Sequence, residues 1–202
     1  MPPETDCDGS AVPNMDWTMT EAMIQDLARF KVPPGFRGRS KPVVALWWLV
    51  EATLFRWSPA PLYGWRRFLL RLFGAKIGTG ARIKPTVRIT YPWKVAVGAH
   101  SWVGQRVELY SLGPITIGAN VCISQDNYLC AGYHDRRDPA FGIHSAPIVV
   151  EDEAWIASQC FVMPGVTVHH GAVVAVRSLV LRDVPAESLV GGQPAKYIGP
   201  RR

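Results

Sequence analysis

Cysteine is scarce in this chain, and the four present, Cys7, Cys122, Cys130 and Cys160, form neither a CxxC pair nor a zinc-finger spacing. That pattern gives no ground for a structural zinc site and makes a reducing cytoplasm the simpler setting. A membrane-spanning run is missing too: the nearly all-apolar stretch Val43 to Phe55 is far short of the ~20 residues needed to cross a bilayer. The chain starts on an acidic, proline-containing segment instead of the basic stretch and apolar core of a secretory signal. No nucleic-acid module accompanies the formal charge of +6, whose Lys and Arg concentrate ahead of residue 77 and at the C-terminal end. Nucleic acid is therefore the weakest of the anionic partners open to a basic protein, behind anionic lipid and a phosphorylated ligand.

What the chain has is a six-residue period. Ile77, Ile83 and Ile89 open it, followed by Val97, Val103 and Leu109, by Ile117, Ile123 and Leu129, by Val150, Ile156 and Val162, and by Val168, Val174 and Val180. Six fits neither an amphipathic helix nor an alternating strand. It fits a parallel β-helix, in which each side of a triangular coil is a short strand plus a turn, so three sixes make one coil and five coils are written here. The fourth residue after each rung should point into the narrow interior and be small. Ala81, Val87, Ser101, Val107, Gly113, Val121, Ala154, Cys160, Val166, Ala172, Ser178 and Val184 comply; Trp93, Asn127 and Tyr133 do not. Gly78, Gly98, Gly104 and Gly118, each just after a rung, read as turn formers.

The period breaks in three places. Ile89 to Val97 and Leu109 to Ile117 are each eight apart, a small bulge at a corner, whereas Leu129 to Val150 is twenty-one apart. A long excursion leaves the coil there, and insertions in solenoids tend to sit on a working face. At 202 residues and 48% hydrophobic composition there is material for one solenoid with attached ends. The expected organisation is an N-terminal extension over 1–40 with a short helix around Met19 to Phe30, an apolar and amphipathic helical segment over 41–76, the β-helix over 77–185 with a loop at 130–147, and a tail over 186–202. Two readings stand for the 41–76 helices. They can pack over the open end of the solenoid. They can also form an interfacial anchor, with Trp47, Trp48, Trp57 and Trp65 beside Arg56, Arg66, Arg67 and Arg71.

The rungs, ITIG at Ile115 to Gly118, AWIA at Ala154 to Ala157, PGV at Pro164 to Val166 and VGGQPAK at Val190 to Lys196 resemble the hexapeptide-repeat acyltransferases. LWWLV, GWRRFLLRLFGAKIG, LGPITIG and YHDRRDPAF bring the resemblance closest to the sugar O-acetyltransferases of exopolysaccharide synthesis, of the colanic acid type, over roughly Leu27 to the C-terminus. The resemblance implies an all-β fold, a left-handed parallel β-helix of hexapeptide repeats. It implies a cytoplasmic homotrimer that uses acetyl-CoA to acetylate a saccharide hydroxyl directly, without an acyl-enzyme and without a metal. The saccharide can be lipid-linked and the enzyme peripheral at the inner face of the membrane.

The same resemblance assigns residues. His134, five residues beyond the rung Leu129, matches the family's general base, and imidazole, with a pKa near ~6.5, suits proton removal from a hydroxyl. Asp135 and Asp138 either orient His134, bind the acceptor, or close the loop as Asx turns. Tyr110 and Ser111 stand where relatives commonly carry an acceptor-binding asparagine, and Ser111 departs from it. Trp155 either walls the site or packs a corner. The pantetheine arm of acetyl-CoA is expected along the small residues Ala157, Ser158 and Ala175, with the Ser158 amide on the developing oxyanion. Arg177, Arg182 and Lys196 are the phosphate partners, or plain surface charge. His144 matches no motif. Other readings are transfer to an amine or another non-saccharide acceptor, a γ-class carbonic anhydrase using His100, His134 and His144, and a non-enzymatic trimeric scaffold.

Overall fold

The computed structural model describes residues 24–202. The rungs become strands. The first coil is β1 (Lys76–Ile77), β2 (Arg82–Ile83) and β3 (Arg88–Ile89), and the second is β4 (Val95–Val97), β5 (Trp102–Val103) and β6 (Glu108–Tyr110). The third is β7 (Ile115–Ile117), β8 (Cys122–Ile123) and β9 (Tyr128–Cys130). A hairpin follows, β10 (Gly132–His134) and β11 (Ile143–Ser145). The fourth coil is β12 (Ile148–Val150), β13 (Trp155–Ile156) and β14 (Phe161–Val162), and the fifth is β15 (Thr167–Val168), β16 (Val173–Val174) and β17 (Leu179–Val180). Strands three apart stack in parallel register, Ile77 on Val97, Ile83 on Val103 and Ile89 on Leu109, so each face of the triangle is a sheet. The chain is a parallel β-helix of triangular coils, as the six-residue period requires.

All fifteen rungs are buried, and the interior column lies between them. Asn127 stays in that column despite its polarity, because Nδ2 donates to Ser124 O at 2.9 Å and Oδ1 accepts from Cys160 N at 2.7 Å. Trp93 and Tyr133 leave it, Trp93 to donate to Arg37 O and Tyr133 to stack on His144. The turn residues are not where the sequence suggested. Left-handed backbone occurs three residues after the rung, at His100, Arg106, Asn120, Asp126, Glu153, Gln159 and Arg177 among others. The glycines one residue after the rung serve close approach: a Cβ on Gly98 would lie 2.3 Å from the Gly118 carbonyl carbon in the next coil.

The stack runs past the fifth coil. Val184 bridges to Val168, and β18 (Ser188–Gly192) lies parallel to β16 before β19 (Ala195–Pro200) folds back on it. The sequence count stopped at five because Val184 falls four residues after Val180 instead of six. The excursion after β9, expected as an unstructured insertion, is an ordered antiparallel hairpin with His134 opposite Ile143. Of the expected Met19 to Phe30 helix, the first part lies outside the described residues, and Leu27–Arg29 forms a single 3-10 turn.

Helices α1 (Lys41–Val50) and α2 (Tyr63–Leu72), with a wide π-turn over Glu51–Phe55 between them, close the open end of the first coil. Trp47, Phe55, Leu69 and Leu70 are buried in the same core as the rungs, each contributing roughly 1.5–3 kcal/mol of apolar burial. A first coil also has backbone groups with no preceding coil to pair with. Side chains of the helical segment take them: Arg71 donates to Ile77 O, Arg67 to Ala81 O, Arg66 to Ile83 O and Trp47 to Ile89 O, while Glu51 accepts from Ile89 N. Burial pushes the Glu51 carboxyl above the ordinary carboxylate range. Of the cationic face read into this segment, Arg66 is buried and Arg67 and Arg71 bond carbonyls of the first coil, while Arg56 and Arg71 stay exposed.

Candidate active site

His134 ends β10 and looks out over the loop 135–142. Its Nδ1 lies 2.9 Å from Phe141 O, and because a carbonyl only accepts, Nδ1 carries a proton, so that in the neutral ring the lone pair falls on Nε2. The imidazole stacks on the Phe141 ring, centroids 4.0 Å apart and planes 10° from parallel, and meets Phe30 at 5.9 Å on a tilt. The loop is tied to itself. Asp135 Oδ1 accepts from Arg137 N, Asp138 Oδ1 from Ala140 N and Asp138 Oδ2 from Gly142 N, each at 2.9 Å. These backbone N–H groups, Ala140 first, hold the Asp138 carboxyl below the ordinary carboxylate range. Of the three roles read for the two aspartates, their oxygens take up loop closure.

A cavity of about 500 Å³ opens beside His134, lined by Tyr110, Tyr91, Thr90, Phe141, Arg37 and aliphatic side chains. Its roof comes from the N-terminal extension, Leu27, Phe30, Val32 and Phe36, pinned by Asp26 N donating to Pro139 O at 2.7 Å and Lys94 Nζ donating to Phe36 O at 2.7 Å. Tyr110 is brought to this cavity, its phenol pushed up by burial. Ser111 is not. Fully buried, its hydroxyl accepts from Tyr91 N at 2.8 Å and donates to Tyr91 O at 3.1 Å, which fastens one coil to the next and leaves nothing for an acceptor. Phe30, Phe36, Arg37, Tyr91 and Phe141 were assigned no role in the sequence, because no periodicity marks a segment that folds over a loop a hundred residues away.

The remaining candidates form a second region. Trp155, on β13, is partly exposed and donates Nε1 to Ser124 Oγ at 3.0 Å. Ala157 and Ala175 are half-buried at successive corners, their N–H groups given to Val174 O and Val190 O. Ser158 accepts from Arg177 N through its carbonyl, and among the described residues its own N–H meets no acceptor. Arg177, at φ 58°, places Nε 2.8 Å from Gln159 Oε1. Arg182 and Lys196 line a common cavity of about 430 Å³ where the last coil meets β19. The hairpin that carries His134 leaves the corner between the β9 and β12 sheets, and the sheet holding Trp155 is the face opposite that corner. Trp155 and the corners that carry Ala157, Ser158, Ala175 and Arg177 therefore lie away from His134 in one chain, whereas Arg182 follows β17 on the same corner as the hairpin, further along the stack.

No family model matches the chain. The colanic acid biosynthesis acetyltransferase WcaF of Escherichia coli K12 is 53% identical over 178 residues, 88% of this chain and 98% of that one. The hexapeptide-repeat acetyltransferase VCA0836 of Vibrio cholerae, solved with acetyl coenzyme A, superposes with a TM-score of 0.72 at 26% identity, over 80% of this chain and 88% of that one. A galactoside acetyltransferase solved with coenzyme A matches in fold alone, at 22% identity with a TM-score of 0.74 over 84% of each chain. Together with the coils, these likenesses define a hexapeptide-repeat acetyltransferase. Within that class the chain belongs to the family of the colanic acid biosynthesis acetyltransferases. The hydratase and scaffold readings give way to this membership.

Proposed function

We propose that this protein moves an acetyl group from acetyl-CoA to a hydroxyl of a saccharide used in exopolysaccharide assembly, with His134 as general base. The observation that carries this is the His134 Nδ1 bond to Phe141 O, which in the neutral ring puts the basic lone pair on Nε2 of a side chain that lines the cavity of about 500 Å³. Nε2 takes the acceptor proton as the hydroxyl oxygen attacks the thioester carbonyl. The tetrahedral adduct then collapses, the carbon–sulfur bond breaks, and the departing thiolate recovers the proton from the imidazolium. The Ser158 N–H is suited to the oxyanion. Ala157 and Ala175 leave room for the pantetheine arm, Trp155 walls it, and Arg177, Arg182 and Lys196 meet the phosphates.

Because a single chain holds His134 and the Trp155 region on opposite sides, the reading requires a second copy to complete each site, and a homotrimer supplies one on every side. Mixing two inactive variants tests this. His134→Ala and a donor-side variant, Ser158→Pro, unfolded and refolded together, regain CoA-thiol release with a saccharide acceptor if the site is shared. Two variants that stay inactive after mixing, or a monomer that turns over normally, contradict it.

Peripheral contact with the inner face of the membrane is part of the proposal. The outward side of the cap carries Leu46, Leu49, Leu54, Trp57, Phe68 and Leu72 exposed, with Trp57 at 81%. Trp65 joins the helices by donating Nε1 to Leu54 O and stacking on Phe68. Among the described residues no helix is long and apolar enough to cross a membrane, so the contact is interfacial. With Arg66 buried in the cap, and Arg56 and Arg71 still exposed, apolar insertion is expected to be the larger part of this contact. Flotation with phosphatidylcholine vesicles is expected to survive high salt and to fall several-fold in Leu54→Ser/Trp57→Ser. Protein left at the bottom of the gradient at every salt concentration rules the contact out.

A further inference from the structure

We infer that Asp138 is a positioning residue that fixes the tautomer and orientation of His134 through the Phe141 carbonyl. The inference rests on His134 being the base, and it concerns how that base is held. Phe141 is a bulky residue at φ 52°, a left-handed conformation that persists only where its surroundings impose it. Asp138 imposes it. Its two carboxylate oxygens take the N–H groups of Ala140 and Gly142, the residues on either side of Phe141, and its own carbonyl accepts from Phe141 N at 2.8 Å.

Two of these bonds hold the peptide units on either side of Phe141 and the third holds the unit before them, and the Phe141 carbonyl, in the same unit as the Gly142 N–H, accepts from His134 Nδ1. The same clamp sets the Phe141 ring flat against the imidazole. Gly142 completes it, since a Cβ there would lie 2.6 Å from Asp138 Oδ2 and push the carboxylate off its donors. The Asp135 carboxylate accepts only from Arg137 N among the described residues, and the bond from Asp135 to Gly142 O runs through its backbone N–H, which an alanine keeps. The two aspartates of this motif are therefore unequal, and an acceptor contact is not what Asp138 supplies.

The clamp has chemical consequences. If Phe141 relaxes to right-handed backbone, its carbonyl turns away, Nδ1 loses its acceptor, and the imidazole divides between two tautomers and several rotamers. Only the form with Nδ1–H presents a basic Nε2 to the acceptor. Supporting groups of this kind are worth about 10–100-fold where they orient functional histidines at metal centres, and a similar factor is expected here.

The test combines kinetics with ¹⁵N NMR of the full-length protein labelled at histidine. In wild type the His134 nitrogens report a single tautomer, protonated at Nδ1. In Asp138→Ala the signals move to the averaged values of a tautomer mixture, and kcat falls about 10–100-fold with KM for acetyl-CoA unchanged. Asp138→Asn, isosteric and able to accept one of the two N–H groups, falls between. It also keeps the test decisive if the alanine variant fails to fold. Asp135→Ala leaves the tautomer unchanged. A wild-type His134 protonated at Nε2, or an Asp138 variant with wild-type nitrogen shifts and kcat, overturns the inference. The NMR arm does not depend on turnover, so if His134 proves not to be the base, that failure shows in the His134→Ala rate and leaves the tautomer result standing by itself.

Discussion

Replacing His134 by alanine is expected to lower acetyl transfer by about 10²–10⁴-fold while leaving acetyl-CoA affinity within a factor of about two. The rate falls because a saccharide hydroxyl keeps its proton near neutral pH, and among the described residues no other histidine or carboxylate lines the cavity beside His134. His144 is the obvious substitute, yet it pairs with Tyr133 across the hairpin while His134 pairs with Ile143. Neighbouring residues of a strand point to opposite faces, so His144 projects from the other side. Donor affinity holds because Trp155, Ala157, Ser158 and Ala175 lie on a different face of the coil. His134 is exposed, and the fold should lose no more than about half a kcal/mol. Steady-state kinetics with calorimetric titration of CoA separates the two effects. Near wild-type turnover in the variant would remove His134 from the mechanism.

The second large effect falls on stability. Arg66→Ala is expected to cost roughly 3–5 kcal/mol, the upper range for one substitution. Arg66 is fully buried with no carboxylate beside it among the described residues; its charge is met by Ile83 O at 2.6 Å, Ser58 Oγ and Pro59 O at 2.9 Å, and Ala60 O at 2.5 Å. Removing the guanidinium leaves a cavity and strands several acceptors, each at about 1–3 kcal/mol where water does not reach. It also frees the 58–60 segment from the first coil. Arg66→Lys, with one ammonium in place of a planar fork, should lose part of this. Denaturant unfolding of the purified variants measures it. A loss below about 1 kcal/mol would mean that the arginine merely lies against the coil.

The difference between a cap and a membrane anchor could not be read in GWRRFLLRLFG, because both uses ask for the same amphipathic pattern. What separates them is the set of unpaired carbonyls at Ile77, Ala81 and Ile83, supplied by a coil that the helix sequence does not describe. The coils themselves were legible residue by residue, since a rung is a local requirement repeated at a fixed interval. Gly98 was seen but misread: its role is set by Gly118 in the next coil, while the left-handed corner falls on residues such as His100 and Arg177 that no composition rule marks. At the site, His134 was legible from its place after Leu129 and from its motif. Ser111 was assigned to the acceptor by position, and its burial against Tyr91 depends on the neighbouring coil. Phe141 closed the YHDRRDPAF motif but was given no role, because it matters through its carbonyl, and Phe30 gave no signal because it reaches the site from the far end of the chain.

The most direct test of the account is to follow the acetyl group. Acetyl-CoA labelled with ¹³C at the carbonyl, incubated with the full-length protein and a panel of free, nucleotide-linked and lipid-linked saccharides, should place the label in an ester carbon on a saccharide hydroxyl. The yield should match the thiol released, and the protein itself should carry no label at any time. Label found on an amine, label held covalently by the protein, or thiol released without a labelled saccharide would contradict it.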